Sequence, residues 1–163
     1  MTIVYLSLGS NLGDREDNLR HALSLISRHM TLTDLSSVYE TEPLEYTFQP
    51  TFLNMVCAGE TYDGPRTILE LTQGIEKELG RVTTFKYGPR TLDVDILLYG
   101  NEVIDSPELQ IPHPRFPGRA FVLVPLSEIA PNIIHPVLGK SIADLLMGVS
   151  GREKVVMFNH MSF

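Results

Sequence analysis

Only one cysteine, Cys57, occurs among the 163 residues, which excludes an internal disulfide framework. It lies in the strand-like stretch FLNMVCAGET and reads as a small buried hydrophobe rather than a nucleophile. Long apolar runs are missing as well, and none approaches a membrane span. No basic segment leads into a signal-like apolar stretch, because MTIVYLSLGSN reads as strand and turn. Positive charge is in deficit, with 13 Lys and Arg against 20 Asp and Glu and a net charge of -7. Nucleic-acid binders normally present a basic surface, so that class is disfavoured. Internal repeats, low-complexity tracts and linkers are lacking. The expectation is one domain over residues 1–163 in a reducing, cytoplasmic setting. Hydrophobic residues at 43% and charged residues at 20% are what a soluble core and surface require.

TIVYLSLG alternates as a strand, with Thr2, Val4 and Leu6 on one face and Ile3, Tyr5 and Ser7 on the other. Asp14 is placed to cap a helix whose apolar residues Leu19, Ala22, Leu23, Ile26 and Met30 follow at helical spacing. LTDLSSVYET is expected to be one strand, EPLEYTFQP a proline-bounded loop, and TFLNMVCAGET a further strand with Phe52, Asn54 and Val56 on one face. Pro65 suits the first turn of a second helix carrying Ile68, Leu71, Ile75 and Leu79, and Gly80 ends it. The order βαββαβ is that of a ferredoxin-like α+β sandwich with an antiparallel sheet. The C-terminal additions are a short strand at Glu102 to Ile104, a helix from Phe121 to Ile129, a helix capped by Ser141 with Asp144, and a strand in KVVMFN.

Asp93 and Asp95 interrupt the apolar strand in GPRTLDVDILLYG. Side chains two apart on a strand leave it on one face, about 7 Å apart. At an effective dielectric near 20, two charges so placed repel by roughly 2 kcal/mol. Three readings compete: solvated acids on an open face, a structural ion pair with Arg90 or Arg119, and a divalent-metal site. Carboxylates at this spacing can hold hard cations such as Mg²⁺, which turn the repulsion into attraction. Arg81, Lys86 and Arg90 precede the pair, and Arg115 and Arg119 follow it. Phosphoryl transfer needs such a combination of metal and arginines. No Walker-type glycine loop or kinase catalytic loop is present, so the chemistry would belong to a small transferase of another kind.

LGSNLGD, YETEP with FLNMV, GPRTLDVDILLYG, and IPHPRFPGRAFVLVPLSEIAP occur in that order over nearly the whole chain. Together they resemble the 6-hydroxymethyl-7,8-dihydropterin pyrophosphokinase family of folate biosynthesis. The resemblance implies a ferredoxin-like sandwich and transfer of the terminal diphosphate of ATP to the pterin hydroxymethyl group, with release of AMP and the use of two Mg²⁺ ions. It implies that Asp93 and Asp95 are the metal ligands. Arg90 and Arg119 would lie on the triphosphate, in keeping with the guanidinium fork, and Arg81 would be a further catalytic arginine. His113, Gln73 and Glu76 would sit by the nucleotide. Phe52 and Phe121 would sandwich the pterin. Asn54 would match its pyrimidinone edge, donating and accepting at once. Backbone groups of Thr41, Pro43 and Leu44 would complete that edge, and Gly9 to Asn11 would shape the pocket.

The sequence departs from the family pattern in the stretch VTTFKY, where Tyr87 stands at the place of a tryptophan and Lys86 supplies charge; both are expected at the nucleotide. Glu108 stands where some members carry a basic residue. His21, His29, His135 and His160 receive no role. The expected partners are ATP and the pterin, with neither nucleic acid nor membrane, and the protein is expected to act as a monomer. Two rivals stand beside this reading. One is a small nucleotidyl or phosphoryl transferase with another acceptor, and the other is a ferredoxin-like module that binds a ligand or RNA without chemistry. Asn54 with Phe52 and Phe121 speaks for a flat heterocycle, and the acidic balance speaks against RNA.

Overall fold

A computed structural model of the chain describes residues 1–42, 49–80 and 91–162. Among the described residues, five strands come in the first hundred positions: β1 (Thr2–Ser10), β2 (Thr31–Leu35), β3 (Val38–Thr41), β4 (Phe52–Thr61) and β5 (Asp93–Tyr99). Between them lie helices α1 (Arg15–Ser27) and α2 (Pro65–Glu78). Both helices start where local chemistry puts them. The Asp14 carboxylate accepts the Asp17 N–H at 3.1 Å, and Pro65 occupies the first turn of α2, where its missing N–H costs no hydrogen bond. Gly80, just beyond α2, has φ of +75°, a left-handed conformation that favours glycine.

β1 is an interior strand of the sheet, antiparallel to β4 on one side and to β5 on the other. β2 and β3 both pair antiparallel with the far side of β4. The stretch expected to be one strand is therefore two. Leu35 pairs with Cys57 and Tyr39 with Asn54, so four steps along one strand are matched by three along the other. The surplus residue is accommodated by buried serines. The Ser36 N–H donates to Val56 O at 2.9 Å and its hydroxyl accepts the Val56 N–H at 2.8 Å. A bulge of this kind changes which face every later side chain takes. Without it Thr41 would share the face of Leu35; with it Thr41 joins Asn54 and Phe52.

A second irregularity lies between β1 and β5. Leu6 pairs with Ile96 and Tyr5 with Leu98, leaving Leu97 as the extra residue. Its carbonyl accepts the His113 N–H at 3.0 Å.

The C-terminal part adds β6 (Ile104–Asp105), β7 (Gln110–Ile111), α3 (Ala120–Ile129), α4 (Ile142–Gly148) and the edge strand β8 (Val156–Asn159), which pairs with β3. The short strand expected at Glu102 to Ile104 lies slightly later and is one arm of this small hairpin. α3 accommodates Pro125 in its interior. The Ser141 hydroxyl caps α4, accepting from the Asp144 N–H.

Two apolar layers sandwich the sheet. Val4, Leu6, Leu8, Leu53, Met55, Cys57, Val94 and Ile96 pack beneath α1 and α2 with Leu19, Ala22, Ile26, Ile68 and Ile75. Val56, Leu97 and Leu98 pack on the opposite face with Phe116 and the α3 residues Val122, Leu123 and Leu126. Cys57 is fully buried, and burial pushes its thiol up to about 12, as the reading of a buried hydrophobe expects. Among the described residues no helix is long and apolar enough to cross a membrane.

Candidate active site

The strand register builds the site. Asn54 on β4 pairs with Gly9 on β1, which pairs with Asp93 on β5. One step of two residues further along, Val56, Ser7 and Asp95 make a parallel row. Directly paired residues share a face, so Asn54, Gly9, Ser7, Asp93 and Asp95 all turn away from α1 and α2. They look into an open cleft of about 520 Å³ on the side of α3. Phe52, Thr41, His113, Arg115, Arg119 and Phe121 line the same cleft.

At one end the groups suit a flat heterocycle. The Asn54 amide donates to the Thr41 hydroxyl at 2.6 Å, leaving Oδ1 and a second N–H for a ligand, and leaving Thr41 its own proton to donate. Asn54 is 8% exposed, so its polar edge is displayed only inside the cleft. Gly9 forms the floor beside it. A Cβ at Gly9 would stand 3.0 Å from Asn54 Oδ1 and 3.7 Å from the Phe52 ring, so the bare backbone makes room for the amide. Asn11 is fully buried and donates to Gln49 Oε1 at 2.8 Å and to Pro50 O at 3.1 Å, tying the turn after β1 to the end of the β3–β4 connection.

At the other end lie Asp93 and Asp95. Two carboxylates facing an open cleft offer hard oxygen donors of the kind that hold Mg²⁺. Among the described residues no cluster of three or more ligating side chains forms, so water and phosphate oxygens would complete any coordination shell. His113 stands by Asp95. Its Nδ1 accepts the Arg115 N–H at 3.2 Å, which assigns the proton of the neutral ring to Nε2. Burial pushes His113 below its ordinary value, and Arg119 and Arg115 push the same way against the attraction of Asp95. A neutral Nε2–H donor is what this leaves. The Arg119 guanidinium lies 5.5 Å from the centre of the Phe121 ring, a cation–π contact at the junction of the two ends.

Some expectations find their residues elsewhere. Gln73 is exposed on α2, and among the described residues that helix lines the cleft through Leu69 and Thr72. The Glu76 carboxylate accepts the Val94 N–H at 3.0 Å, closing a backbone donor on the outer side of β5. That contact fixes the residue between the two acids. Glu108 lines the cleft and faces Arg66 at 3.7 Å, and its own backbone N–H, Ser106 and Arg66 hold its carboxyl below the ordinary range. Arg81, Lys86, Tyr87 and Arg90, and likewise Pro43 and Leu44, lie outside the described residues. Leu69, Thr72, Ser7, Pro107, Leu109 and Gln110 escaped the sequence reading, since nothing local marks a residue as lining a cleft closed by distant segments.

Residues 5–131 match the model of the 7,8-dihydro-6-hydroxymethylpterin-pyrophosphokinase (HPPK) family. The chain belongs to that family. A relative from Bacillus subtilis, named 2-amino-4-hydroxy-6-hydroxymethyldihydropteridine pyrophosphokinase, is 50% identical over 133 residues, 80% of each chain. A relative of the same name from Aquifex aeolicus is 41% identical over 144 residues, covering 88% of this chain and 90% of the relative. Larger proteins contain the module as a part. The chain spans 21% of a Dictyostelium discoideum folic acid synthesis protein at 43% identity. It also superposes on a crystal structure described as HPPK-DHPS in complex with substrates, with a TM-score of 0.74, 15% identity, and coverage of 90% of this chain and 43% of the other. At that identity the likeness speaks for the HPPK fold alone: a mixed α/β architecture around an antiparallel sheet.

Proposed function

We propose that this HPPK-family enzyme transfers the terminal diphosphate of ATP to the hydroxymethyl group of 6-hydroxymethyl-7,8-dihydropterin in folate synthesis. The hydroxyl oxygen gives up its proton to solvent and bonds to the β-phosphorus, the bond from that phosphorus to the α-phosphate oxygen breaks, and AMP leaves. The observation that carries the reading is the register Asn54–Gly9–Asp93. The register sets the Asn54 amide edge and the acid pair on one face of one cleft, with only β1 between their strands.

Asp93 and Asp95 would hold the divalent cations, two Mg²⁺ on this reading. Such ions supply charge neutralisation on a triphosphate and lower the cost of forming an alkoxide. The chain's own groups orient the rest. Asn54 and Thr41 offer paired donors and acceptors to the pyrimidinone edge, which on this reading backbone groups of Pro43 and Leu44 would complete. Phe52 and Phe121 supply stacking surfaces. A buried site built to hydrogen-bond one edge discriminates strongly against a ligand that lacks it. The His113 Nε2–H and Arg119 are suited to phosphate oxygens, and Arg81, Lys86, Tyr87 and Arg90 belong to the nucleotide end of the same reading, with Gln73 and Glu76 on the neighbouring helix.

The antiparallel order β5–β1–β4–β3, with α1 and α2 on one face, supports the ferredoxin-like assignment. A single domain acting as a monomer in the cytoplasm completes the proposal. Product analysis tests the reaction. With ATP, Mg²⁺ and the pterin, AMP should appear only when pterin is present. ADP would mean single-phosphoryl transfer, and no turnover would favour a binding module.

A further inference from the structure

Arg15 is the first residue of α1, where a cation opposes the helix dipole and acidic residues are preferred. Its reason lies across the sheet. Nη1 donates to Glu40 Oε2 at 3.1 Å, to Thr51 O at 3.0 Å and to the Thr51 hydroxyl at 2.9 Å. The Thr51 hydroxyl in turn donates to the same Glu40 oxygen at 2.9 Å. Glu40 is the residue before Thr41, and Thr51 is the residue before Phe52. Thr41 and Phe52 are the last pair of the β3–β4 ladder. The guanidinium therefore bridges both strands at the point where the hairpin opens, behind the three residues that face the heterocycle. Phe158 on β8 lies over it, with its ring centre 5.8 Å away, and the Asn159 amide donates to Glu16 at 2.7 Å. The C-terminal strand thus braces the clamp from outside.

We infer that Arg15 is a positioning residue for the acceptor, holding Thr41 and Phe52 in register so that Asn54 and Thr41 present one rigid edge. This deepens the function proposed above and rests on it. The Arg15 side chain is 23% exposed and that of Glu40 39%, so the ion pair contributes little to global stability. Its effect should fall on substrate geometry, not on the melting temperature.

The test measures binding of 6-hydroxymethyl-7,8-dihydropterin in the presence of a non-hydrolysable ATP analogue, together with steady-state constants for both substrates. Arg15→Ala should weaken pterin binding and raise its KM about tenfold, the scale of one lost charge-assisted contact. The KM for ATP should stay within about twofold and kcat at saturating pterin within about threefold. Arg15→Lys should recover part of the loss. Thr51→Val keeps the side-chain shape, removes the hydroxyl that accepts from Arg15 and donates to Glu40, and should give a smaller shift of the same sign, which keeps the inference testable if Arg15→Ala folds poorly. Pterin affinity within twofold of wild type in both Arg15→Ala and Thr51→Val overturns the inference while leaving the function intact. Equal rises in both KM values also overturn it, because they signal general loosening. If the wild-type protein itself fails to bind the pterin, the function falls and the inference with it.

Discussion

The two faces of the central sheet obey different rules. Under α1 and α2 the inward positions of β1, β4 and β5 form one apolar layer, interrupted by Gly59 against Met30 and by Thr2, Ser10 and Thr61 at the strand ends. On the other face the same three strands carry Tyr5 and Leu98 under α3 at one end, but Phe52, Asn54, Gly9, Ser7, Asp93 and Asp95 at the other, with Val56 at the boundary in the row of Ser7 and Asp95. Strands in register can therefore be core along half their length and site along the rest. The first face spends its residues on stability. The second leaves polar groups and a bare glycine where packing would prefer hydrocarbon, and that conflict marks function.

Breaking the site half should have the largest effect. Asp95→Asn keeps the shape and removes one charge of the pair. Turnover should fall by at least about a thousandfold, the scale of losing a metal or transition-state contact. The metal-free melting temperature should hold or rise slightly, because a repulsion is relieved. A large drop in melting temperature would reveal a structural ion pair instead. The mirror experiment is Leu8→Ala, one residue from Gly9 and on the opposite face, 1% exposed. It should cost about 2–5 kcal/mol of stability through the cavity it leaves. The kcat of the remaining folded protein should be unchanged, as activity scaled to folded fraction would show.

That contrast also explains what the sequence alone could reveal. Helix starts were legible because Asp14, Pro65 and Ser141 act within one turn. The acid pair was legible because i and i+2 share a face of any strand. The bulges were not. Alternation over LTDLSSVYET gives no sign that one residue is surplus at Ser36 and Ser37. Yet that residue decides whether Thr41 faces α1 or Asn54. Leu97 does the same within β5 and lends its carbonyl to His113. On α2, Thr72 and Leu69 reach the described cleft while Gln73 is exposed and Glu76 accepts from the edge of β5, positions that helical spacing alone did not separate. The arginines and aromatic of residues 81–90 were legible as chemistry, but they lie outside the described residues.

A finer cut through the site half is Gly9→Ala. The added carbon would meet Asn54 Oδ1 at 3.0 Å, so the amide must move by a few tenths of an ångström. Pterin KM should rise several-fold, about 1 kcal/mol of misaligned hydrogen bonding, with ATP KM unchanged and little loss of stability. An equal change in the two constants would mean that Gly9 serves the whole cleft and not the heterocycle edge.

The smallest effect separates the two layers by pH. Among the described residues no histidine is buried in the core under α1 and α2, His21 and His29 on that side being exposed. The layer under α3 packs Phe116 against His135, 5.4 Å between ring centres, and His135 is 4% exposed. Its Nδ1 accepts the N–H of Val137 at 3.2 Å and of Leu138 at 3.1 Å, bonds that require an unprotonated nitrogen. Burial accordingly holds its pKa below the ordinary 6.5. Below pH 6.5 the unfolded chain takes up a proton that the folded one resists, so stability is full above that value and declines as pH falls towards the folded pKa. His113 contributes with the same sign. His135→Asn keeps an acceptor for the two N–H groups and removes the titration. The loss of melting temperature between pH 7.5 and 5.5 should therefore shrink in the variant without vanishing, because His113 remains. An unchanged slope would mean that the α3 layer tolerates a charged ring, and would erase the difference in pH response between the two layers.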